Sequence, residues 1–90
     1  MFKTLEELIA VIRQRKASSV KESYTYKLLK DKKLSVEKIK EEIAELIDAS
    51  EKNTNKVHEA ADVLYHLMVL LEANGIKVED VMEELKKRQK

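Results

Sequence analysis

The sequence predicts an all-α fold, and three observations carry that expectation. One residue of the ninety is glycine and none is proline, so the tight turns that join strands lack the residues that build them. Apolar residues recur at the helical period through most of the chain. The breaks between these periodic stretches are short polar clusters of the residue types that cap helices.

The first helix is expected over Leu5 to Lys16. Thr4 and Glu7 make a capping box, and Leu5, Leu8, Ile9 and Ile12 form one apolar stripe. Ala17-Ser18-Ser19-Val20 reads as a connection. A short second helix over Ser23 to Leu29 has hydroxyls at its start, and Asp31-Lys32-Lys33 reads as a polar turn. Ser35 then caps a third helix, Val36 to Glu51, with Ile39, Ile43, Leu46 and Ile47 on its inner side. Asn53-Thr54-Asn55 supplies the next break and cap. The fourth helix, Lys56 to Ala73, is apolar most of the way round, which predicts burial on several sides. Asn74-Gly75 is its C-cap, with the sole glycine where a left-handed residue is needed. A fifth helix, Val78 to Lys87, carries Val81, Met82 and Leu85 and leads into Lys86-Lys87-Arg88, whose charge suits the C-terminal end of the helix dipole.

Ninety residues predict one domain, residues 1–90, small enough that its core is expected to be completed by a second copy in a homodimer or higher homo-oligomer. The formal net charge of +1, from 18 basic and 17 acidic residues, argues against a nucleic-acid partner. Without cysteine there is no disulfide framework, thiolate-bound zinc or thiol nucleophile. The longest apolar run, Leu67 to Leu71, is far short of the ~20 residues that span a bilayer, so no membrane partner is expected. The N-terminus lacks the apolar core of a signal peptide, and a cytoplasmic location follows as the expectation. Glycine-rich phosphate loops are excluded, which leaves metal ions and side chains to hold any phosphate.

The chemistry lies in two acidic clusters, Glu41-Glu42-Ile43-Ala44-Glu45 and Glu59-Ala60-Ala61-Asp62. At 3.6 residues per turn, Glu42 and Glu45 are about 60° apart on the third helix, and Glu41 and Glu45 about 40°. Glu59 and Asp62 repeat that spacing on the fourth. Like charges one turn apart cost roughly 0.2–0.5 kcal/mol per pair. If the two helices fold back as an antiparallel hairpin, Glu42, Glu45, Glu59 and Asp62 converge between them, as in the carboxylate metal sites of helical bundles. The donors are all oxygen, which suits Mg²⁺, with Mn²⁺ also fitting. The competing account is two solvated helix faces. It is weaker for Glu59 and Asp62, which stand among apolar neighbours where unpaired carboxylates are costly.

Glu42-x-x-Glu45 followed after thirteen residues by Glu59-x-x-Asp62 resembles the ExxE…ExxD pattern of the all-α, MazG-like nucleoside triphosphate pyrophosphatases. Within that superfamily the chain resembles the phosphoribosyl-ATP pyrophosphatases. The residues that carry this are Ser23-Tyr24-Thr25 with Lys27-Leu28-Leu29, Lys38 to Glu45, and the block Glu59-Ala60-Ala61-Asp62-Val63-Leu64-Tyr65-His66-Leu67. With the Asn74-Gly75-Ile76 turn and the helix after it, the likeness covers residues 23–88.

The resemblance implies a MazG-like four- to five-helix bundle and Mg²⁺-dependent hydrolysis of phosphoribosyl-ATP to phosphoribosyl-AMP and pyrophosphate, the second step of histidine biosynthesis. It implies Glu42, Glu45, Glu59 and Asp62 as metal ligands, with Glu42 and Glu41 serving catalysis and Glu41 supporting the ligands or orienting the attacking water. Ser23, Tyr24, Thr25, Lys27, Lys38 and His66 become candidate substrate contacts. Several have a second reading: Lys38 as an i,i+4 ion pair to Glu42, Ser23 as a helix cap, Tyr65 and His66 as a buried hydrogen-bonding pair. His58 is expected to be exposed near the turn. Lys40 stands where the family usually has glycine, and the loop at Lys30-Asp31-Lys32-Lys33 is slightly shortened. These departures touch substrate detail and spare every ligand. A cyclohydrolase, fused to this domain in many organisms, would be a separate chain. Two other functions fit the acidic pattern: a house-cleaning pyrophosphatase for other nucleotides, and a non-enzymatic helical oligomerisation module.

Overall fold

A computed structural model describes residues 2–17 and 23–89. The connection expected at Ser18-Ser19-Val20 lies outside the described residues. The order is α1 (Lys3–Ala17), α2 (Tyr24–Lys30), α3 (Lys32–Lys52), α4 (Lys56–Ala73) and α5 (Val78–Arg88), with no strand among the described residues. The all-α expectation holds.

Helix ends follow the capping chemistry, although not always on the expected residue. In α1 the ladder opens at Phe2, whose carbonyl accepts the Glu6 N–H at 3.1 Å. Thr4 is therefore already helical, and the capping box expected of Thr4 and Glu7 is not formed. Ser23 does cap α2, its backbone extended and its Oγ accepting the Tyr26 N–H at 3.3 Å. Asp31 then serves two helices. Its N–H donates to the Lys27 carbonyl at 3.0 Å to close α2, and its Oδ1 accepts the Leu34 N–H at 3.1 Å to open α3. The cap expected of Ser35 is thus taken by Asp31 one turn earlier. Ser35 lies inside the helix, fully buried, with its Oγ unpartnered.

The α3–α4 corner uses asparagine in place of glycine. Asn53 sits at φ 58°, and the Thr54 N–H reaches back to the Ala49 carbonyl at 3.0 Å. Asn55, at φ 47°, makes no side-chain cap bond, so its capping role is not realised. At the other end of α4, Gly75 at φ 70° allows the Ile76 N–H to bond the Leu71 carbonyl at 2.9 Å and its own N–H to bond Glu72 at 3.1 Å. Those are the two closing bonds of a Schellman motif.

The core is Ile12, Leu28, Leu29, Met68, Val69 and Ala73, flanked by Leu5, Leu8, Ile9, Leu34, Tyr65, Leu67, Leu71 and Val78. Each such leucine or isoleucine contributes about 1.5–3 kcal/mol when fully buried. Helix α4 is central, packed on α1, α2 and most extensively α3. The expected inner stripe of α3 is only partly inward: Ile39 is buried, but Ile43 and Ile47 are 44% and 55% exposed. On α4, Val57 and Leu64 are exposed as well. Helix α5 buries no residue. It is tied to α1 by Arg13, whose guanidinium donates to both Glu79 carboxylate oxygens at 2.6 and 3.0 Å, and by Val78 against the core. The short corner between α3 and α4 folds them back as a hairpin, and this positions the acidic residues.

Candidate metal and phosphate site

Glu42 and Glu45 on α3 meet Glu59 on α4 across the hairpin. Each offers an oxygen within 4.8 Å of the other two. Asp62 falls into a second group with His58 and Glu59, at the same limit. The two groups share Glu59. Of the four expected ligands, three converge directly, and Asp62 joins them through Glu59. A groove of about 350 Å³ lined by Glu45, Asp48, Thr54, Asn55 and Glu59 opens toward the α3–α4 corner.

The electrostatics of the cluster are unbalanced. Glu42 Oε2 and Glu59 Oε2 are both buried without a hydrogen-bond partner. Burial first, then the charges of Glu45, Asp62 and Glu59, push the Glu42 carboxyl up to about 7. Glu59 is also raised, mainly by burial and by its contact with Glu45. The neighbouring cations are engaged elsewhere: Lys38 Nζ lies 3.3 Å from Glu41, and Lys52 lies 3.2 Å from Asp48. Two buried carboxylate oxygens without a donor, in a group of three carboxylates, fit a hard divalent cation with oxygen ligands. Glu42, Glu45, Glu59 and Asp62 are the residues that would hold it.

His66 is buried behind this cluster. Its Nε2 faces Glu42 Oε1 at 3.9 Å, and its Nδ1 has no partner. Burial lowers its pKa, partly opposed by the charge of Asp62. Tyr24 and Tyr65 meet it edge-on, with ring centroids 6.1 and 5.0 Å away. Tyr65 does pair through a hydrogen bond, but with Thr25: its hydroxyl lies 2.5 Å from Thr25 Oγ1. The reading of Tyr65 and His66 as a mutual hydrogen-bonding pair is therefore replaced.

The remaining candidates lie at α2, α3 and α4. Tyr24 is half exposed, with Lys38 near enough to act on its hydroxyl electrostatically. Lys38 pairs with Glu41 one turn on, not with Glu42 as the i,i+4 reading expected. The structure leaves Glu41 outside the converging carboxylates, exposed and held by Lys38. Ser23 is engaged as a cap, and Lys27 is exposed on α2 without an ion pair among the described residues. His58, expected only to be exposed, is 72% exposed at its side chain but stands 3.4 Å from Asp62. Its i,i+4 spacing from Asp62 was the available signal in the sequence.

Comparison with known proteins gives a consistent set. The family model described as phosphoribosyl-ATP pyrophosphohydrolase matches residues 5–89. Phosphoribosyl-ATP pyrophosphatase from Sulfurisphaera tokodaii is 44% identical over 89 residues, 96% of this chain and 95% of that protein. The enzyme of that name from Methylobacterium nodulans is 44% identical over 94% of this chain and 82% of its own length. The histidine biosynthesis bifunctional protein HisIE of Pyrococcus furiosus is 44% identical over 96% of this chain but only 41% of its own length. The chain thus spans about two fifths of that bifunctional relative and most of the single-function ones.

Proposed function

The chain belongs to the phosphoribosyl-ATP pyrophosphohydrolase family, and from that premise we propose that it hydrolyses phosphoribosyl-ATP to phosphoribosyl-AMP and pyrophosphate at the α3–α4 carboxylate cluster, with Mg²⁺ or Mn²⁺. The observation that carries this is the meeting of Glu42, Glu45 and Glu59 across the hairpin with two buried, partnerless oxygens among them. Relatives named for this activity match nearly the whole chain.

In the reaction a water oxygen attacks the α-phosphorus and releases its proton to solvent, and the bond from that phosphorus to the bridging oxygen breaks, so pyrophosphate leaves with the electron pair. Glu42, Glu45, Glu59 and Asp62 are the residues that would hold a divalent cation, which would supply neutralisation of the phosphate charge and activation of water. Glu41, next in sequence to Glu42 and paired with Lys38, is the residue for orienting the attacking water. Lys38 and Lys27 offer ammonium donors to phosphate oxygens, and Tyr24 presents a half-exposed ring for the nucleoside. Ser23 and Thr25 contribute by setting the start of α2, through the cap on Tyr26 and the bond to Tyr65. His66 acts from beneath the site by backing Glu42.

Two copies assemble through the outer faces of α3 and α4 in this proposal. Val36, Ile43 and Ile47 form an exposed stripe on α3, and Val57 and Leu64 stand seven residues apart on α4. Light scattering after size exclusion is expected to give twice the 10.5 kDa chain mass or a higher multiple. No helix among the described residues is long and apolar enough to cross a membrane.

The activity is tested by pyrophosphate release from phosphoribosyl-ATP beside a panel of dNTPs, with Mg²⁺ present. Phosphoribosyl-ATP is expected to be the faster substrate, and Glu42→Gln to remove turnover. Faster release from a dNTP would move the reading to a house-cleaning pyrophosphatase. Release from no nucleotide would leave a non-enzymatic helical module.

A further inference from the structure

We propose that α5 is an assembly helix: its apolar face, with the α1–α5 groove beside it, receives α5 of a second copy of this chain in antiparallel register. This surface shares no residue with the exposed stripe on α3 and α4. The inference therefore stands independently of assembly through that stripe, and where both interfaces form the product is a tetramer.

Three observations carry it. The first is an amphipathic helix whose apolar side is uncovered. Val78, Val81, Met82 and Leu85 recur at i, i+3, i+4 and i+7 on one side of α5, yet the helix buries none of its residues. Met82 and Leu85 are 52% and 48% exposed. The second is room for a helix face. A groove of about 480 Å³ runs between Phe2, Leu5 and Ile9 of α1 and Val78 and Met82 of α5. The third is charge, and it selects the occupant. Helix α5 starts with Glu79 and Asp80 and ends with Lys86, Lys87 and Arg88. A helix running the opposite way with the same gradient complements it, and α5 of a second copy is such a helix. A twofold axis sets each basic end against the other copy's acidic start, and it opposes the two helix dipoles. The apolar and charged registers agree. With the axis beside Val81 and Met82, Val78 of one copy meets Leu85 of the other. Lys86 lies about 20° from Glu79 round the helix, so the two share a flank and meet across the axis. The groove that receives Lys86 is acidic on balance, with Glu6 and Glu79 against Arg13.

The test exploits a chain without cysteine. Met82→Cys puts one thiol per copy beside the axis, and Lys87→Cys puts one on the opposite side of α5. On mild oxidation of the full chain, Met82→Cys is expected to give more than about half covalent dimer and Lys87→Cys less than about a tenth. Light scattering after size exclusion is run on wild type, Met82→Glu, Lys86→Glu and Ile47→Glu, with circular dichroism to check helix content. Met82→Glu is expected to halve the mass of the wild-type assembly, whichever other interface is present. Lys86→Glu is expected to make the wild-type mass fall on dilution, because it sets like charges against each other. Equal cross-linking of the two cysteine variants, or an unchanged mass for Met82→Glu at native helix content, overturns the inference. Should Met82→Glu lose helix content, the cysteine pair decides alone. A mass that falls only for Ile47→Glu also overturns it, and leaves assembly through α3 and α4 standing.

Discussion

The Tyr65 hydroxyl and Thr25 Oγ1 lie 2.5 Å apart, joining the first turn of α2 to the middle of α4 across forty residues of chain. Thr25 is therefore tied to the element that carries Glu59 and Asp62. The entry to α2 and the acidic face of α4 are held in fixed relation.

Breaking that bond should cost stability before it costs chemistry. Tyr65→Phe and Thr25→Val are each expected to destabilise by about 1 kcal/mol, with the double variant showing a coupling of roughly 0.5–1.5 kcal/mol in a urea-unfolding cycle. Additive losses would show that the hydroxyls do not act as a pair.

Glu42 sets an unusual pH dependence of stability for the chain without divalent cations. Its carboxyl is raised from 4.5 to about 7 in the folded state, so the folded chain holds the proton more tightly than the unfolded one. The stabilisation from that proton is complete below about 4.5 and is lost as pH rises through about 7. Its size is on the order of 1–3 kcal/mol. Tm should therefore fall between pH 5 and pH 8 in chelator. Glu42→Gln, which keeps the shape and removes the charge, should flatten the slope. Millimolar Mg²⁺ should raise Tm most at the alkaline end, where the carboxylates are ionised.

Arg13 ties α5 to α1 through Glu79, beside the packing of Val78 on the core. The helix buries no residue, and the guanidinium of Arg13 keeps the Glu79 carboxyl down at about 2. Arg13→Ala is expected to raise amide exchange across residues 78–88 by up to about fivefold while α3 and α4 keep their protection. The same release should appear in wild type as pH falls from about 4.5 toward 2, because a lowered carboxylate pKa stabilises above the unfolded value and is lost on protonation. Unchanged exchange in α5 would place its tether elsewhere.

Gly75 is needed for its backbone and not for space. No atom lies within 4 Å of where a Cβ would stand, yet φ is +70°. Gly75→Ala is expected to cost about 1–2 kcal/mol. By the usual scaling of about 4–8 °C per kcal/mol at this chain length, Tm falls accordingly. A neutral result would mean the Schellman turn rearranges freely.

Much of this was legible along the chain. The bounds of α4 are those the sequence predicts, because Asn55, Lys56 and the Asn74-Gly75 pair mark them with local signals. The convergence of Glu42, Glu45 and Glu59 also follows from local facts: one-turn spacing on each helix and a short corner between them. What failed were choices between near-equal local options. Asp31 and Ser35 are both good N-cap residues, and Asp31 wins because it already ends α2 in extended geometry. Lys38 can reach a glutamate three or four residues on, and it takes Glu41 because Glu42 turns inward toward His66. His58 is exposed, and its neighbour Asp62 is supplied by the helix turn and not by its exposure.

The sequence by itself determined the helices, the two acidic faces and the family, since caps, periodicity and one-turn spacings depend only on residues a few positions apart. The tertiary structure alone decided which carboxylates lose their water, and that exposed stripes remain on α3 and α4. It also decided that Thr25 answers to Tyr65 while His66 is left facing Glu42. Those outcomes depend on how α2, α3 and α4 pack against one another, and burial and charge act through that packing and not along the chain.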